Sequence, residues 1–158
     1  MSDLNPYDKF VAGHAPDAIL AATPAKLAAL LQAIGTAKAA VPLAPGKWSP
    51  AQILAHLADC EIAFGFRLRQ TLAEDNHVIQ PFDQDKWAAT YRDVSATQAL
   101  ATFTALRAWN LTLIRTALPA SAAKPANHPE RGSMTFLTIV ETMAGHDLNH
   151  IAQLQTVA

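Results

Sequence analysis

The chain has little charge and almost no cysteine. Charged residues make up 16% of its 158 positions, and the formal net charge is −1. Without a basic run or interleaved aromatics, neither a nucleic-acid-binding face nor attraction to an anionic membrane is expected. Cys60 is the only cysteine, which excludes a disulfide within the chain.

Targeting signals and long hydrophobic runs are lacking too. The first residues contain no positively charged stretch followed by an apolar one, so we expect no secretory leader. The most apolar stretch, residues 18–40, is interrupted by Lys26, Gln32 and Lys38 and falls short of about 20 continuous apolar residues. We therefore expect a soluble, cytoplasmic protein that does not enter a membrane.

Apolar residues are abundant, at 51% of the chain, and alanine and leucine dominate them, a composition that favours helices. Helical spacing of apolar residues predicts four long helices, which begin and end at about residues 16–39, 50–72, 96–118 and 135–155. No segment shows a strand pattern. The sequence therefore predicts an all-α, four-helix-bundle fold in a single domain over residues 1–158, with residues 1–14 as a flexible N-terminal arm.

Several short motifs predict where the helices begin and end. A serine followed three residues later by glutamine predicts capping boxes at Ser49–Gln52 and Ser95–Gln98. Thr23 and Pro24 predict a break or kink inside the first helix, and Pro119 predicts the end of the third. The last helix is predicted to begin after one of two capping residues, Ser133 or Thr135.

Two connections are predicted to be loops, residues 73–94 and residues 125–132. The first is too irregular for a regular element and is long for a connection within a bundle. It carries Phe82 and Trp87, which could contact a substrate in a pocket or could equally plug one end of the core.

A pair of histidines near the C-terminus is the most informative motif. His146 and His150 are four residues apart at core positions of the last helix, so they lie on one face, one turn apart. His56 lies at the edge of the apolar stripe of the second helix, and a bundle could bring all three rings together. The alternative is that each ring is hydrogen-bonded inside the core. The other histidines lie in predicted loops and are expected to be exposed: His14, His77 and His128.

Three imidazoles around an open position would be a catalytic kind of metal site, because structural zinc sites usually have four protein ligands. The zinc-protease motif requires glutamate after the first histidine of the pair, where this chain has Asp147. A di-iron bundle requires carboxylates three residues before the histidines, where Ile53 and Met143 stand. Cys60 could approach the metal, although a small buried hydrophobic side chain is its more common role.

The remaining site candidates are polar residues near the three histidines. Arg67 could meet an anionic part of a substrate or form a salt bridge at the end of the bundle. Asn149 and Gln153 could orient the imidazoles as outer-shell partners, or cap the polar edge of the helix. The carboxylates near the histidines are weak candidates for a catalytic base: Asp59, Glu61 and Asp147.

Three segments in order resemble the DinB-like superfamily, and within it the YfiT-like branch of metal-dependent hydrolases and thiol transferases. The segments are Trp48–Asp59, Ile79–Trp87, and His128–Gly132 followed by His146–Gln153. The resemblance covers about residues 24–155. One departure concerns the turn over residues 58–61, where this branch usually has a further polar or histidine side chain and this chain reads Ala-Asp-Cys-Glu.

The resemblance implies a four-helix bundle in which His56, His146 and His150 hold a divalent metal, zinc or nickel. It also implies a homodimer and a small-molecule substrate. Some relatives transfer low-molecular-weight thiols such as bacillithiol, mycothiol or glutathione to electrophiles, so a thiol could be a co-substrate.

Three hypotheses follow from the sequence. The leading one is a metal-dependent enzyme that transfers a low-molecular-weight thiol to an electrophile or hydrolyses a small substrate. The alternative is a non-catalytic metal- or ligand-binding protein of a stress response. The third is a bundle with a vacant triad whose alanine-rich surfaces mainly serve dimerisation.

Overall fold

Four long helices form the predicted four-helix bundle. The computed structural model describes residues 4–158. The long helices are α2 (Pro16–Ile34), α4 (Pro50–Ala73), α6 (Ala96–Ser121) and α7 (Phe136–Gln155). Three short helices accompany them, α1 (Asp8–Val11), α3 (Thr36–Ala39) and α5 (Gln84–Ala88), together with the strands β1 (His77–Val78), β2 (Pro125–His128) and β3 (Gly132–Thr135).

The bundle does not pair its helices in chain order. The most extensive interface joins α4 to α6, and α2 packs against both α6 and α7. α4 also contacts α7, whereas α6 and α7 meet only briefly. Going round the bundle, the order is therefore α2, α6, α4, α7, which places α4 and α7 side by side.

The predicted starts of all four long helices are confirmed, and α2 begins at Pro16. Ser49 and Gln52 form the reciprocal capping box of α4. At the start of α6 the Ser95 side chain accepts the Gln98 backbone N–H, but the Gln98 side chain does not complete the predicted capping box. Thr135 is the capping residue of α7. At the C-terminal end of α6 the prediction is wrong, because the helix continues through Pro119 to Ser121.

Of the predicted break or kink at Pro24, the break does not occur, because α2 is continuous from Pro16 to Ile34. The Thr23 hydroxyl does not cap a new helix but donates to the Ile19 carbonyl, one turn back in the same helix. Leu20 and Leu27, on either side of Pro24, are fully buried. Packing of this face outweighs the local preference of proline for a helix start.

α2 also meets the length and composition criteria for a membrane span, which the sequence was expected not to do. Its mean hydropathy is 1.3 over an 18-residue window. In the bundle α2 packs against α6 and α7, and 22% of that window is buried.

A small sheet lies where only loops were predicted. β1 pairs in parallel with β2, and β2 pairs antiparallel with β3, with His128 opposite Gly132. The expectation of no strands is therefore wrong, as are the loops over residues 73–94 and 125–132. β1 is two residues long and β2 begins with proline, so neither shows the alternation that identifies a strand from sequence.

The segment predicted as an N-terminal arm contains α1, which packs against α7. Val11 is buried there with an exposed fraction of 6%. Gly145 permits this approach, because a Cβ atom at that position would lie 2.5 Å from Tyr7 Cβ and 2.7 Å from the Tyr7 carbonyl oxygen. The absence of a side chain at Gly145 therefore leaves room for Tyr7 to pack on α7 beside His146.

Polar residues divide the interior of the bundle into two apolar groups. One group includes Phe64, Ile114 and Met143, and the other includes Leu57, Phe103 and Ile151. Between them, each of α4, α6 and α7 contributes buried polar side chains, which are His56, Glu61, Arg107, Asn110, His146, Asp147 and His150. This layer contains the candidate site.

Candidate metal centre

The structure brings His56, His146 and His150 together in a buried group, the histidine triad. The Nε2 atom of His146 lies 3.1 Å from Nε2 of His56 and 3.1 Å from Nε2 of His150. The ligand nitrogens of all three lie within 4.8 Å of one another. Each side chain is at most 6% exposed. α4 supplies one ring and the adjacent α7 supplies two. The i, i+4 spacing of the two rings on α7 places them on the same face of that helix.

The rings cannot satisfy one another while they remain neutral. A neutral imidazole has one N–H and one lone pair. His150 directs Nδ1 at the side-chain oxygen of Gln153, 3.0 Å away, so its proton lies on Nδ1 and its Nε2 is an acceptor. A proton on Nε2 of His146 can serve only one of its two neighbours well. One of the two Nε2–Nε2 contacts is therefore left without a hydrogen bond.

The donor set fits a divalent cation. Two imidazole nitrogens bound to one zinc ion at a tetrahedral angle lie about 3.3 Å apart, since Zn–N is about 2.0–2.1 Å. The observed spacings of 3.1 Å from His146 to each neighbour are close to that value. A shared cation would use all three lone pairs at once, which removes the conflict between the neutral rings.

Burial keeps the triad in the protonation state that a metal requires. Desolvation, with a smaller contribution from His150, lowers the pKa of His56 to about 4. Desolvation also lowers the pKa of His146 well below its ordinary value, and it lowers that of His150. All three rings are therefore neutral at neutral pH, with lone pairs available.

Gln153 and Cys60 contact the triad in different ways. Gln153 accepts from Nδ1 of His150, which restricts the orientation of that ring. Asn149 lines an adjacent cavity. Cys60 Sγ lies 3.5 Å from Nε2 of His56 but does not belong to the group of converging ligand atoms. Burial raises the pKa of its thiol, so the sulfur stays protonated.

Two of the carboxylates proposed as bases belong to a buried ionic group, which we call the Arg107 cluster: Glu61, Arg107, Asn110 and Asp147. Arg107 donates from Nη1 and Nη2 to both oxygens of Asp147, at 2.6 and 3.0 Å, and from Nη2 to Glu61 at 2.6 Å. Asn110 donates to the other Glu61 oxygen at 3.0 Å. Burial alone would lower the pKa of Arg107, but Asp147 and Glu61 outweigh it and hold that pKa above its ordinary value.

Pro24 explains a further contact of this cluster. A proline has no N–H, so the carbonyl of the residue four positions earlier, Leu20, has no partner within α2. Arg107 Nη1 donates to that carbonyl at 3.1 Å. The proline that was predicted to break the helix thus supplies a buried acceptor to the cluster. Of the cluster's side-chain nitrogens and oxygens, only Arg107 Nε has no hydrogen-bond partner in the described chain.

The third candidate base is also hydrogen-bonded. Tyr91 donates its hydroxyl to Asp59 at 2.6 Å. Burial and the Asp59 carboxylate together raise the pKa of Tyr91, so the phenol remains protonated and keeps this bond. No candidate carboxylate therefore lies beside the triad without a partner of its own.

Two cavities flank the triad. One, of about 520 Å³, is lined by His150, Trp48 and Asn149, and the other, of about 200 Å³, is lined by His56 and His146. Tyr7 and Gln84 line both. The ring of Tyr7 meets that of His146 edge to face, with 5.4 Å between centroids. Sequence analysis did not identify Tyr7, because its position depends on the bare backbone at Gly145.

The three predicted substrate contacts are near the smaller cavity. Arg67 and Phe82 line it, and Trp87 packs against Phe82 with 4.6 Å between ring centroids. Trp87 itself lines a separate apolar groove on the surface, with an exposed fraction of 38%.

His77 and His128 were expected to be exposed and are not, since each is 8% exposed. Both lie on the small sheet, whose strands the sequence did not reveal. His128 lines the smaller cavity together with Arg131, and its Nδ1 accepts the Glu130 backbone N–H at 3.2 Å.

Comparison with known proteins agrees with this geometry. The sequence profile described as "DinB superfamily" matches residues 19–154. The chain belongs to the DinB superfamily. This membership confirms the resemblance noted from its three segments, and the matched region includes every residue of the triad.

Several relatives of this DinB-superfamily chain carry the name "putative metal-dependent hydrolase". One, from Oceanobacillus iheyensis, is 29% identical over 113 residues, which are 71% of this chain and 66% of that protein. Another is YfiT of Bacillus subtilis, 24% identical over 139 residues, which are 86% of this chain and 78% of YfiT.

Two solved structures share the fold. The structure of YfiT, described as having an unusual four-helix bundle topology, matches with a TM-score of 0.79 at 23% identity, over 90% of this chain and 83% of that one. The four-helix bundle protein TT2238 matches with a TM-score of 0.63 at 24% identity, over 95% and 98% of the two chains.

Proposed function

We propose that this protein is a metal-dependent enzyme in which His56, His146 and His150 hold one divalent cation, zinc or nickel. The convergence of three neutral, buried imidazole nitrogens carries the proposal. Imidazole ligands suit both metals. The group has three protein ligands and borders two cavities, so a fourth position is open to a substrate.

The cation would lower the pKa of a water or thiol in the open position and make it a nucleophile at neutral pH. The protein residues have defined roles around it. Gln153 holds the proton on Nδ1 of His150 and so leaves Nε2 free as a ligand. Tyr7 covers His146, and burial raises the pKa of its phenol, which keeps the hydroxyl protonated as a hydrogen-bond donor to a substrate.

Hydrolysis of a small substrate is the activity that the names of the relatives support. Transfer of a low-molecular-weight thiol to an electrophile is a second candidate, and a specific observation favours it. Water activation commonly employs a carboxylate base, yet Glu61 and Asp147 are bound to Arg107, and Asp59 is bound to Tyr91. A thiol coordinated to a metal is deprotonated without such a base.

Metal analysis tests the proposal. The protein is freed of metal with a chelator, titrated with Zn²⁺ or Ni²⁺, and analysed for bound metal. We expect one ion per chain for the unaltered protein and for the exposed control variant His14→Ala. We expect none for His146→Ala or His150→Ala. Full retention of metal by both triad variants would refute the site.

An activity comparison separates the two reactions. The zinc- and nickel-loaded protein is assayed for hydrolysis of a small ester and for conjugation of glutathione or cysteine to a model electrophile. Thiol transfer predicts conjugation that needs the metal and is lost in His150→Ala. Hydrolysis predicts ester turnover with the same dependence. Stoichiometric metal without either activity would favour the non-catalytic metal-binding alternative.

We also propose the assembly and the location of the protein. A homodimer stays a prediction, as does a cytoplasmic location. Three large apolar side chains are more than half exposed on α4 and α6 and would be available to a partner copy: Ile62, Phe66 and Trp109.

A further inference from the structure

The smaller cavity beside the triad has an unusual charge distribution. Its floor includes His56 and His146, and its walls include two half-buried arginines, Arg67 and Arg131. Among residues 4–158, neither arginine forms an ion pair with a carboxylate. Arg107 in the same bundle differs from them, because it forms ion pairs with two carboxylates.

Arg67 is held in place without being neutralised. Its Nη2 donates to the Gln80 carbonyl at 3.2 Å. Its guanidinium lies between two aromatic rings, 5.6 Å from the centroid of Phe64 and 5.5 Å from that of Phe82. These contacts restrict the side chain and leave its charge and most of its N–H donors available.

His128 adds a neutral donor to the same wall. Because its Nδ1 accepts the Glu130 backbone N–H, the proton of the neutral ring lies on Nε2. Burial, Arg131 and Arg67 together lower the pKa of His128, in that order of importance, which keeps the ring neutral. The cavity is therefore lined by two positive charges and a neutral N–H donor. Glu130, whose side chain is exposed, supplies the single negative charge.

We propose that Arg67 and Arg131, assisted by His128, form a subsite for the carboxylate of a small organic anion bound next to the triad. Guanidinium groups match a carboxylate in a bidentate geometry. The aromatic rings of Phe64 and Phe82 beside Arg67 fit the carbon part of such a molecule better than a strongly hydrated inorganic ion. The volume of about 200 Å³ limits the ligand to a small molecule or fragment.

This inference rests on the proposed function, because it describes what the enzyme would bind beside its metal. It extends that function by assigning a substrate or co-substrate class, an organic carboxylate. Arg67 and Arg131 would be specificity-determining residues, since they would hold the anion and take no part in binding the metal.

The test measures binding without turnover. Benzoate and its neutral analogue benzamide are titrated by calorimetry into the full-length protein, both as purified and after metal removal, so that binding of benzoate to a metal is excluded in the second case. We expect benzoate to bind more tightly than benzamide in both. Arg67→Gln and Arg131→Gln should each weaken benzoate binding by about 10- to 100-fold, as for a lost hydrogen bond to a charged group.

Three comparisons make the result specific. Arg115→Gln removes the same charge from the exposed surface of α6 and should leave benzoate binding unchanged. Arg67→Lys keeps the charge and should restore part of the affinity. All the arginine variants should bind zinc as the unaltered protein does, because the subsite takes no part in holding the metal. Zinc binding by the histidine variants tests the proposed function and not the subsite.

Several outcomes would overturn the subsite. Equal binding of benzoate and benzamide to the metal-free protein is one, and a benzoate affinity in Arg131→Gln equal to that in Arg115→Gln is another. Tighter binding of inorganic phosphate than of benzoate would also overturn it, because the site would then select phosphate.

Discussion

The histidine triad and the Arg107 cluster lie side by side in the same polar layer, yet they differ in how their polar atoms are satisfied. His146 and Asp147 are consecutive residues of α7, and the first belongs to the triad while the second belongs to the cluster. Both carboxylates of the cluster have hydrogen bonds to both oxygens. The neutral triad leaves one of its two Nε2–Nε2 contacts without a hydrogen bond.

Under the proposed function, this difference separates a structural polar group from a binding site. In the Arg107 cluster, both carboxylates are hydrogen-bonded to the one guanidinium group, and helices surround them. In the triad, three ligand nitrogens lie within 4.8 Å of one another, and cavities border the group on two sides. A buried polar group that lacks an internal partner needs an external one.

The largest effect should come from opening the Arg107 cluster. Arg107→Met removes the charge at similar volume and leaves Glu61 and Asp147 buried without their partner. We expect a loss of about 3–5 kcal/mol in the free energy of unfolding, measured by urea denaturation. Arg115→Met, on the exposed side of the same helix, should change it by less than about 0.5 kcal/mol.

A further variant sharpens this prediction. Arg107→Met combined with Glu61→Gln and Asp147→Asn removes all three charges, and it should recover part of the lost stability. A loss below about 1 kcal/mol in Arg107→Met alone would mean that the cluster is not a closed ionic unit.

The triad should make the free energy of unfolding depend on pH. In the metal-free protein the folded-state pKa of His56, about 4, lies below its unfolded value, 6.5. Between these values the unfolded chain binds more protons, so stability falls as the pH decreases. The slope is at most about 1.4 kcal/mol per pH unit for one histidine, or about 2 kcal/mol between pH 6.5 and 5.

His56→Gln should flatten this slope, and His14→Gln, at an exposed position, should not. The measurement is urea denaturation of the metal-free protein at several pH values between 5 and 7. Identical slopes in the unaltered protein and in His56→Gln would show that the ring is not held neutral by burial.

The three histidines could be picked out from the sequence because each clue involves residues close together in the chain. The spacing of His146 and His150 on one helix face and the place of His56 on a helical stripe are both properties of a single helix. The same holds for the capping residues Ser49 and Thr135, each of which bonds only to residues within its own first turn.

The Arg107 cluster could also have been found from sequence, and was missed. Arg107 lies four residues after Phe103 and seven before Ile114, which places a charge on the core face of α6. Glu61 and Asp147 occupy similar positions on α4 and α7. One positive and two negative charges at core positions of three helices predict a buried ion pair, because such charges require partners.

Other features depend on contacts between distant segments and left no local signal. The small sheet joins residues near position 77 to residues near position 126 through a two-residue strand. The position of Tyr7 over His146 depends on a glycine far along the chain. Helical periodicity carries no information about either contact.

A smaller effect should follow from releasing one ring of the triad. Gln153→Leu removes the acceptor that holds the proton on Nδ1 of His150. We expect zinc affinity to fall about tenfold, the lower end of the range for outer-shell partners, because Gln153 is exposed to solvent. Competition titration with a coloured chelator measures it. Gln155→Leu, two residues further along α7, is the matched control, and equal affinities in the two variants would remove Gln153 from the site.

The smallest effect concerns the cover of the triad. In an ordinary helix interior, a glycine-to-alanine change stabilises by about 0.5–1 kcal/mol. In Gly145→Ala the new Cβ would meet Tyr7 Cβ at 2.5 Å, so the N-terminal segment must shift away from α7. These effects oppose each other, and we expect the free energy of unfolding to change by less than about 1 kcal/mol.

Hydrogen exchange shows whether the small change in stability hides two opposing effects or reflects no structural change in Gly145→Ala. Amides of residues 7–12 should exchange faster in Gly145→Ala, while those of α7 stay protected. Ala152→Gly changes helix propensity at an exposed position of the same helix and should leave residues 7–12 unaffected. Unchanged protection of residues 7–12 would show that Tyr7 does not depend on the bare backbone at Gly145.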